Sequence, residues 1–347
     1  MLARRTFLVL GGAALTGPAW QSLDIPVPIP ERGTSSQVPP PLLSLIEATV
    51  TRAQQLDEEH GSASADFVAS QFASVAHVVR TSSYDAQTGR RLCTALAQLA
   101  QTSGWMAQEA VQDGRAQRWY HLALRAAHSA GDRGVKASIL ALMSNHATAL
   151  GQHREALQLS AAAAEAASHA PAAVQALIAA RSALAHAGAG DLMGVERAHD
   201  RAMTLRAGPD DERPQWAGYV TPTELDALAG RALVMLARHV PRRRNHLIQQ
   251  AEPLLRQRAL DVSDAHRRSA LRHSALLGLA HTAAGDLEQA VHAGRLAVRR
   301  LPMVTSIRCQ SLLGELRSEL AAHAQRSQDV RSLIAEIDTH VPGPSRR

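Results

Sequence analysis

The stretch Ser269–Arg300 constrains the fold of this chain more than any other part of its sequence. It contains two apolar patterns of helical period, separated by a short turn. Gly285 follows the first pattern, where a helix commonly ends in the left-handed conformation that glycine adopts without strain. Gly278 on the first helix, and Ala290 and Ala297 on the second, are small enough to let two helices approach closely. The stretch therefore predicts a pair of packed helices.

A single pair of this kind cannot bury its apolar face alone, so the rest of the chain is expected to supply neighbouring pairs. Other stretches show the same paired apolar periodicity. The other predicted pairs are Leu42–Glu59 with Ala65–Arg80, Thr88–Val111 with Arg115–Ser129, Val135–Leu150 with His153–Ala167, Ala172–Ala187 with Gly194–Leu205, Glu224–His239 with Asn245–Arg258, and Thr305–His323 with Asp329–Thr339. Turn glycines at Gly114, Gly151 and Gly190 recur at nearly equal intervals, as expected for a helix-pair repeat.

The composition agrees with an all-helical fold. The chain is rich in Ala and Leu, contains only three Phe and three Tyr, and shows no persistent alternating strand pattern. The small residues at the packing positions, together with the helix-pair period, are those of tetratricopeptide (TPR) repeats. We therefore predict an all-α, TPR-like right-handed α-solenoid of six to seven antiparallel helix pairs.

The sequence divides into a leading segment, a repeat domain and a tail. The repeat domain is predicted to cover residues 42–341, and the tail residues 342–347. In residues 1–41, Arg4-Arg5 precedes an apolar, glycine-rich run, and a Pro-rich linker follows. We expect this segment to be disordered or signal-like. Its apolar run is too short and too rich in glycine to span a membrane.

The arginine pair leaves two cellular locations open. Arg4-Arg5 followed by an apolar run is typical of a twin-arginine export signal. Only Met-Leu-Ala precedes the pair, however, and no clear A-x-A cleavage site follows. We favour the cytoplasm and keep export by the twin-arginine route as the alternative.

The sequence contains no motif of a known catalytic or metal-binding site. HExxH, GxSxG, CxxC and the glycine-rich phosphate loop are all missing from it. The histidine pairs His121/His128 and His266/His273 are two turns apart, too far to chelate one ion on a helix. We therefore expect a protein that is not an enzyme and has no cofactor or metal site, and a helical enzyme is the least favoured alternative.

The positive charge is carried almost entirely by arginine. The formal net charge is +6. A positive charge of this size permits contact with nucleic acid, but it also occurs when charged side chains are simply spread over solvated helix faces. The run Arg242-Arg243-Arg244 can contact phosphate, although a solvated loop is the favoured interpretation. Trp216 and Tyr219 lie in a Pro-rich interruption of the repeats, where they either fill a gap between repeats or line a ligand site.

Candidate binding residues follow from the repeat register. In a TPR solenoid the first helix of each pair lines the concave face, where partners bind. The register points a set of polar and aromatic side chains toward that face. The candidate partner-binding residues are Gln101, Trp105, Gln108, Asn145, Arg181 and Arg272.

The chemistry of these side chains suits a peptide or protein segment. The Asn145 carboxamide can pair with both the N–H and the C=O group of a peptide. Arg181 and Arg272 can each hold a carboxylate through two hydrogen bonds. The alternative for each residue alone is an ordinary exposed polar side chain.

Three groups of short motifs occur together in the C-terminal half of the chain. They are Pro214–Tyr219 with Thr223–Asp226 and Ala229–Arg231, then Ala251–Leu255, and Gly285–Ala290 with Ser306–Arg308. Together they resemble the TPR-like regulatory region of actinobacterial helix-turn-helix transcriptional regulators. In that family a DNA-binding domain precedes the repeats, and a short segment similar to Arg4–Leu15 often lies between the two.

The resemblance implies a non-enzymatic protein-interaction or signal-sensing module of a transcriptional regulator. Such a module binds a peptide or protein segment in its concave groove and can form a homodimer. No helix-turn-helix precedes Arg4 in this sequence, so we expect no direct sequence-specific DNA binding by this chain. Either the start codon is misassigned or the repeats stand alone. The alternative function is a TPR scaffold exported by the twin-arginine route.

Overall fold

The structure, a computed structural model, describes residues 9–22, 37–206 and 213–341. Within these ranges it contains fifteen α-helices and no β-strand. The prediction of an all-helical protein is confirmed. None of the described helices is both long enough and apolar enough to cross a membrane.

The helices follow one another with short connections. Their bounds are α1 Ala13–Gln21, α2 Pro40–His60, α3 Ala65–Thr81, α4 Ala86–Glu109, α5 Asp113–Ala130, α6 Arg133–Ala149, α7 His153–Ala166, α8 Ala172–Gly188, α9 Leu192–Arg206, α10 Pro222–Ala237, α11 Arg244–Ala259, α12 Arg267–Ala284, α13 Leu287–Arg300, α14 Ile307–Leu320 and α15 Gln328–His340. Helices α2 to α15 correspond to the fourteen predicted helices.

Five consecutive helix pairs pack closely, namely α4/α5, α6/α7, α8/α9, α10/α11 and α12/α13. The first helix of each pair also contacts the first helix of the next. Small residues allow the close packing: a Cβ on Gly278 would lie 3.5 Å from the Ala290 carbonyl oxygen and 2.9 Å from Leu316 Cδ2. Gly285 ends α12 in the left-handed conformation, with φ 81°, as predicted. This arrangement is consistent with an α-solenoid.

The N-terminal helices do not form the expected packed pair. Helices α2 and α3 make few contacts with each other; α3 packs on α4, while α2 packs on both α4 and α12. Helices α2, α4, α6, α8, α10 and α12 therefore contact one another in a closed circuit, which we call the first-helix ring. The repeat pattern predicted an open concave groove, whereas these first helices close on one another.

The seam of this ring, where α2 meets α12, is flanked by backbone hydrogen bonds that join the end of α2 and the residues after it to the segment before α14. The Thr305 amide donates to the His60 carbonyl (3.1 Å), and the Ser62 amide donates to the Thr305 carbonyl (2.8 Å). Gly61 lies between them with φ 66°, and a Cβ there would meet the Thr305 oxygen at 2.3 Å. The seam therefore requires glycine at this position.

The turn between α4 and α5 falls earlier than predicted. We expected it at Asp113-Gly114, but α5 begins at Asp113 and Gly114 is buried inside it. The chain reverses instead at Val111, the one non-glycine residue with positive φ (55°) among those described. A β-branched residue rarely adopts this conformation, so the sequence contains no local signal for this turn.

Part of the leading segment is folded. We expected residues 1–41 to be disordered or signal-like, but residues 9–22 contain helix α1, which packs on α7. Leu15 and Ala19 of α1 are buried. The Arg4-Arg5 pair, most of the Pro-rich linker and the tail 342–347 lie outside the described residues.

Candidate functional site

The six predicted binding residues lie on helices of the first-helix ring. Helix α4 contains Gln101, Trp105 and Gln108, and helices α6, α8 and α12 contain Asn145, Arg181 and Arg272 respectively. Hydrogen bonds and ring contacts link them into separate groups. They do not form one open wall.

The first group surrounds Ser138 of α6. Its hydroxyl lies 3.4 Å from Gln101 Nε2 and 3.3 Å from Arg181 Nη1, both of which donate to it. Arg181 also donates through Nη2 to the Tyr219 hydroxyl, 3.0 Å away. Tyr219 thus ties the loop before α10 to α8, while Trp216 packs against the apolar core.

The second group contains the two carboxamides. Asn145 is 4% exposed, and its Oδ1 accepts a hydrogen bond from Arg231 Nη2 at 3.0 Å. Gln108 is 2% exposed, and its Oε1 accepts from the Tyr120 hydroxyl at 2.9 Å. Both side-chain carbonyl oxygens therefore already have partners within the chain.

The third group is a buried ion cluster that joins α2, α4 and α12. Arg272 pairs with Glu109, which also accepts from the Ser306 hydroxyl at 2.7 Å. Arg268 pairs with Asp57 at 2.9 Å. Both guanidinium carbons lie 5.3 Å from the centroid of the Trp105 ring, which places them within cation–π distance.

Charge balance in this cluster is reflected in the pKa values of its carboxylates. Burial alone would raise the pKa of Glu109, but Arg272, Arg268 and the hydrogen bond from Ser306 outweigh it and lower the pKa to about 2. For Asp57, burial outweighs the attraction of Arg268 and raises the pKa. Glu109 is therefore a firmly ionised partner for Arg272 at neutral pH.

A cavity of about 410 Å³ opens beside this cluster, between α4, α10, α12 and α14. We call it the arginine cavity. Four arginines and two glutamates line it, together with apolar and neutral polar side chains. The charged lining residues are Glu109, Arg231, Arg238, Arg272, Arg308 and Glu315. Arg238 pairs with Glu315, as Arg272 does with Glu109.

The packing of α10 points Arg231 into the cavity. Gly230 faces α11, since a Cβ there would lie 2.8 Å from Leu255 Cγ. Arg231, the next residue, points about 100° further around the helix and lines the cavity. Its hydrogen bond to Asn145 is to a neutral group, and among the described residues no carboxylate pairs with it. Burial, reinforced by repulsion from Arg272, lowers the pKa of Arg231 to about 9, so its guanidinium is still protonated at neutral pH.

Arg308 completes the positive wall of the cavity. Ser306 caps α14 by accepting a hydrogen bond from the Cys309 amide at 3.1 Å, which fixes the first turn where Arg308 lies. The guanidinium donates through Nε to the Gln108 carbonyl (2.7 Å) and through Nη2 to Asp113 Oδ1 (3.0 Å). His146 also contacts Asp113 Oδ1, at 2.9 Å.

Only part of this site follows from the sequence. Arg231 and Arg308 belong to the motifs Ala229–Arg231 and Ser306–Arg308 but were not among the candidate binding residues. Arg268 was missed too, although its spacing of one helical turn from Arg272 is a usable signal. The sequence contains no comparable signal for Glu109, because its two arginine partners come from a distant helix.

A second cavity, of about 470 Å³, lies between α2, α4 and the loop before α10. Arg91 there pairs with Glu47 at 2.7 Å, and Trp216 forms part of the wall. In the predicted loop Arg242-Arg243-Arg244, Arg243 lies 3.7 Å from Glu196 and is exposed to solvent. In both places the arginine side chains are exposed to solvent.

The chemistry available in the arginine cavity is anion binding. Among the described residues, no three His, Cys, Asp or Glu side chains are grouped as a metal site would require. No protein-family model matches the sequence, and no curated protein matches it significantly.

Proposed function

We propose that this chain is a non-enzymatic interaction or signal-sensing module that binds an acidic group of a peptide or protein segment in the arginine cavity. The observation that carries the proposal is Arg231, a protonated guanidinium in a cavity wall with one neutral partner. A guanidinium offers planar, paired donors that match a carboxylate. Arg272 and Arg308 line the same cavity, where each is already paired with a carboxylate, Glu109 and Asp113 respectively.

The size of the cavity specifies how much of a partner enters it. About 410 Å³ falls within the range of ligand pockets, roughly 300–1,000 Å³. It suits a C-terminal residue or one acidic side chain, whereas an extended segment would need an open groove. We therefore propose that the partner inserts its acidic end and that the rest of it stays outside the ring.

The wider context of the proposal is transcriptional regulation by a cytoplasmic protein. It is supported by the five packed helix pairs, which suit a TPR-like right-handed α-solenoid, and by two of the resembling motifs, which supply Arg231 and Arg308 to one cavity. The cavity joins α10 to α12 and α14, so a bound anion would favour whichever arrangement of these helices brings the arginines together. A signal follows only if that arrangement differs from the unliganded one.

The test uses a panel of short peptides with a free C-terminal carboxylate and the same peptides with a C-terminal amide. We expect at least one free acid to raise the thermal midpoint of the wild-type protein, and its amide to raise it less. Arg231→Gln should remove this difference, because the neutral side chain cannot pair with the carboxylate. Arg154→Gln, at an exposed position of α7, is the matched control and should retain it. The proposal fails if Arg231→Gln and wild type respond alike.

A further inference from the structure

We propose that the outer face formed by α5, α7 and the start of α6 is a peptide-docking site, occupied here by the chain's own segment Leu10–Ser22, and that an uncharged helical peptide of the same pattern exchanges with it. This face belongs to the second helices of two pairs. It is separate from the arginine cavity, and the inference does not depend on the function proposed for that cavity.

The site recognises the peptide backbone at the start of the segment. The Gln117 side chain holds Leu10 at both backbone groups: Oε1 accepts from the Leu10 amide at 2.6 Å, and Nε2 donates to the Leu10 carbonyl at 3.1 Å. Gln152 Nε2 donates to the same carbonyl at 3.0 Å. Glu155 Oε1 accepts from the Gly12 amide at 3.0 Å. Because these contacts use backbone groups, they are available to any chain of suitable conformation.

The other end of the segment is held by its last carbonyl group. The Ser22 carbonyl accepts from Lys136 Nζ and lies 3.0 Å from His128 Nδ1. Cationic or N–H donors at a helix C-terminus satisfy carbonyls that have no partner within the helix. Lys136 is the only lysine of the chain and is buried. The site thus binds a helix at both ends without contacting a charged side chain of the occupant.

Side-chain selectivity comes from one face of α1. Leu15 and Ala19, one helical turn apart, are the buried apolar side chains, while Ala14 and Trp20 are exposed. No charged residue occurs from Leu10 to Ser22. The occupant that fits is therefore an uncharged helix with a large apolar residue followed, four positions later, by alanine.

The resident segment is a weak competitor for its own site. Only one large side chain, Leu15, is buried along it. Gly17 and Pro18 lie inside α1, and both residue types are poor helix formers. The helix therefore depends on docking. The advantage of the resident segment over a free peptide is that it is covalently attached to the site. For a short flexible linker, attachment corresponds to an effective concentration on the order of millimolar.

The test measures binding of a fluorescein-labelled synthetic peptide of residues 9–22 to the full-length chain by anisotropy. Leu15→Asp in the chain should weaken internal docking and increase peptide affinity by about ten-fold over wild type. Ala14→Asp adds the same charge at an exposed position of α1 and should leave affinity at the wild-type level. Adding Gln117→Leu to the Leu15→Asp chain should reduce affinity by about ten-fold. Arg231→Gln should have no effect, which separates this site from the arginine cavity.

A peptide carrying Leu15→Asp serves as the specificity control and should not bind. If the Leu15→Asp chain loses its helical circular dichroism spectrum, the milder Leu15→Ala chain replaces it, with a smaller increase expected. A folded chain of either kind that binds the peptide no better than wild type overturns the proposal. So does equal binding of the wild-type and Leu15→Asp peptides.

Discussion

At the scale of single residues, His273 shows how a buried polar side chain makes the fold sensitive to acid. It is 5% exposed, its Nδ1 lies 2.7 Å from the Ser269 carbonyl, and its Nε2 is buried without a hydrogen-bond partner. Burial, with repulsion from Arg272 and Arg231, lowers its pKa to about 3. In the unfolded chain a histidine titrates near pH ~6.5. The unfolded state therefore binds this proton more tightly than the folded state.

We predict that stability is lost as the pH falls from about 6.5 toward 3, by an amount on the order of 4 kcal/mol for this group alone. His273→Gln should reduce the loss between pH 6.5 and 5, because glutamine does not titrate. The measurement is the free energy of urea unfolding at several pH values. His292→Gln, at an exposed position, is the control. An unchanged pH slope in His273→Gln would show that the folded protein accepts this proton without cost.

Individual residues of the site also show which of its features can be predicted from the sequence and which cannot. Arg272 was identified because its place on a helix follows from local periodicity. Its partner Glu109, on α4, is brought to it by closure of the ring. Arg231 appeared only as part of a motif, since its lack of a carboxylate partner depends on which helices surround it. Local patterns fix which way a side chain points, whereas its partners are set by contacts between distant parts of the chain.

At the scale of helices, prediction succeeded where the signals are local. Apolar periodicity and end signals such as Gly285 located α2 to α15 within a few residues. The docked helix α1 was not predicted, because glycine and proline disfavour it and its stability comes from α5 and α7. The turn at Val111 was not predicted either. Its positive φ is unfavourable for valine on its own, and the packing of the two flanking helices holds the residue in that conformation.

The contact between α12 and α13 gives a prediction at this scale. Ala290 is fully buried, and its carbonyl oxygen lies 3.5 Å from where Gly278 would carry a Cβ. Ala290→Leu should overpack the contact and cost roughly 1–3 kcal/mol. His292→Leu adds a similar side chain at an exposed position of α13 and should change stability much less. Equal thermal midpoints for wild type and Ala290→Leu would mean that α12 and α13 can move apart without loss of stability.

At the scale of the whole molecule, the closed ring is what the repeat pattern could not predict. A repeat sequence specifies how each pair contacts the next, but closure depends on α2 meeting α12 after many such steps. The contacts that close it are particular to this chain: the ion pair between Arg268 and Asp57, and the backbone bonds around Gly61 and Thr305. In place of the predicted open groove the structure has a cavity bounded by α4, α10, α12 and α14, which is why we propose an acidic end rather than an extended segment as the partner.

Closure of the ring can be tested at Gly61 with an internal control. Gly61 (φ 66°, ψ −140°) and Gly12 (φ 58°, ψ −144°) share a backbone conformation that other residues rarely adopt. A Cβ on Gly61 would meet the Thr305 oxygen at 2.3 Å, whereas one on Gly12 would have nothing within 4 Å. Changing either residue to alanine therefore introduces a similar backbone strain, and only Gly61→Ala should also separate the seam. We expect hydrogen exchange at the Thr305 and Ser62 amides, which bond across the seam, to accelerate more in Gly61→Ala than in Gly12→Ala. If these amides stay equally protected in both variants, α2 tolerates a side chain at Gly61 and the ring is held by its ion pairs instead.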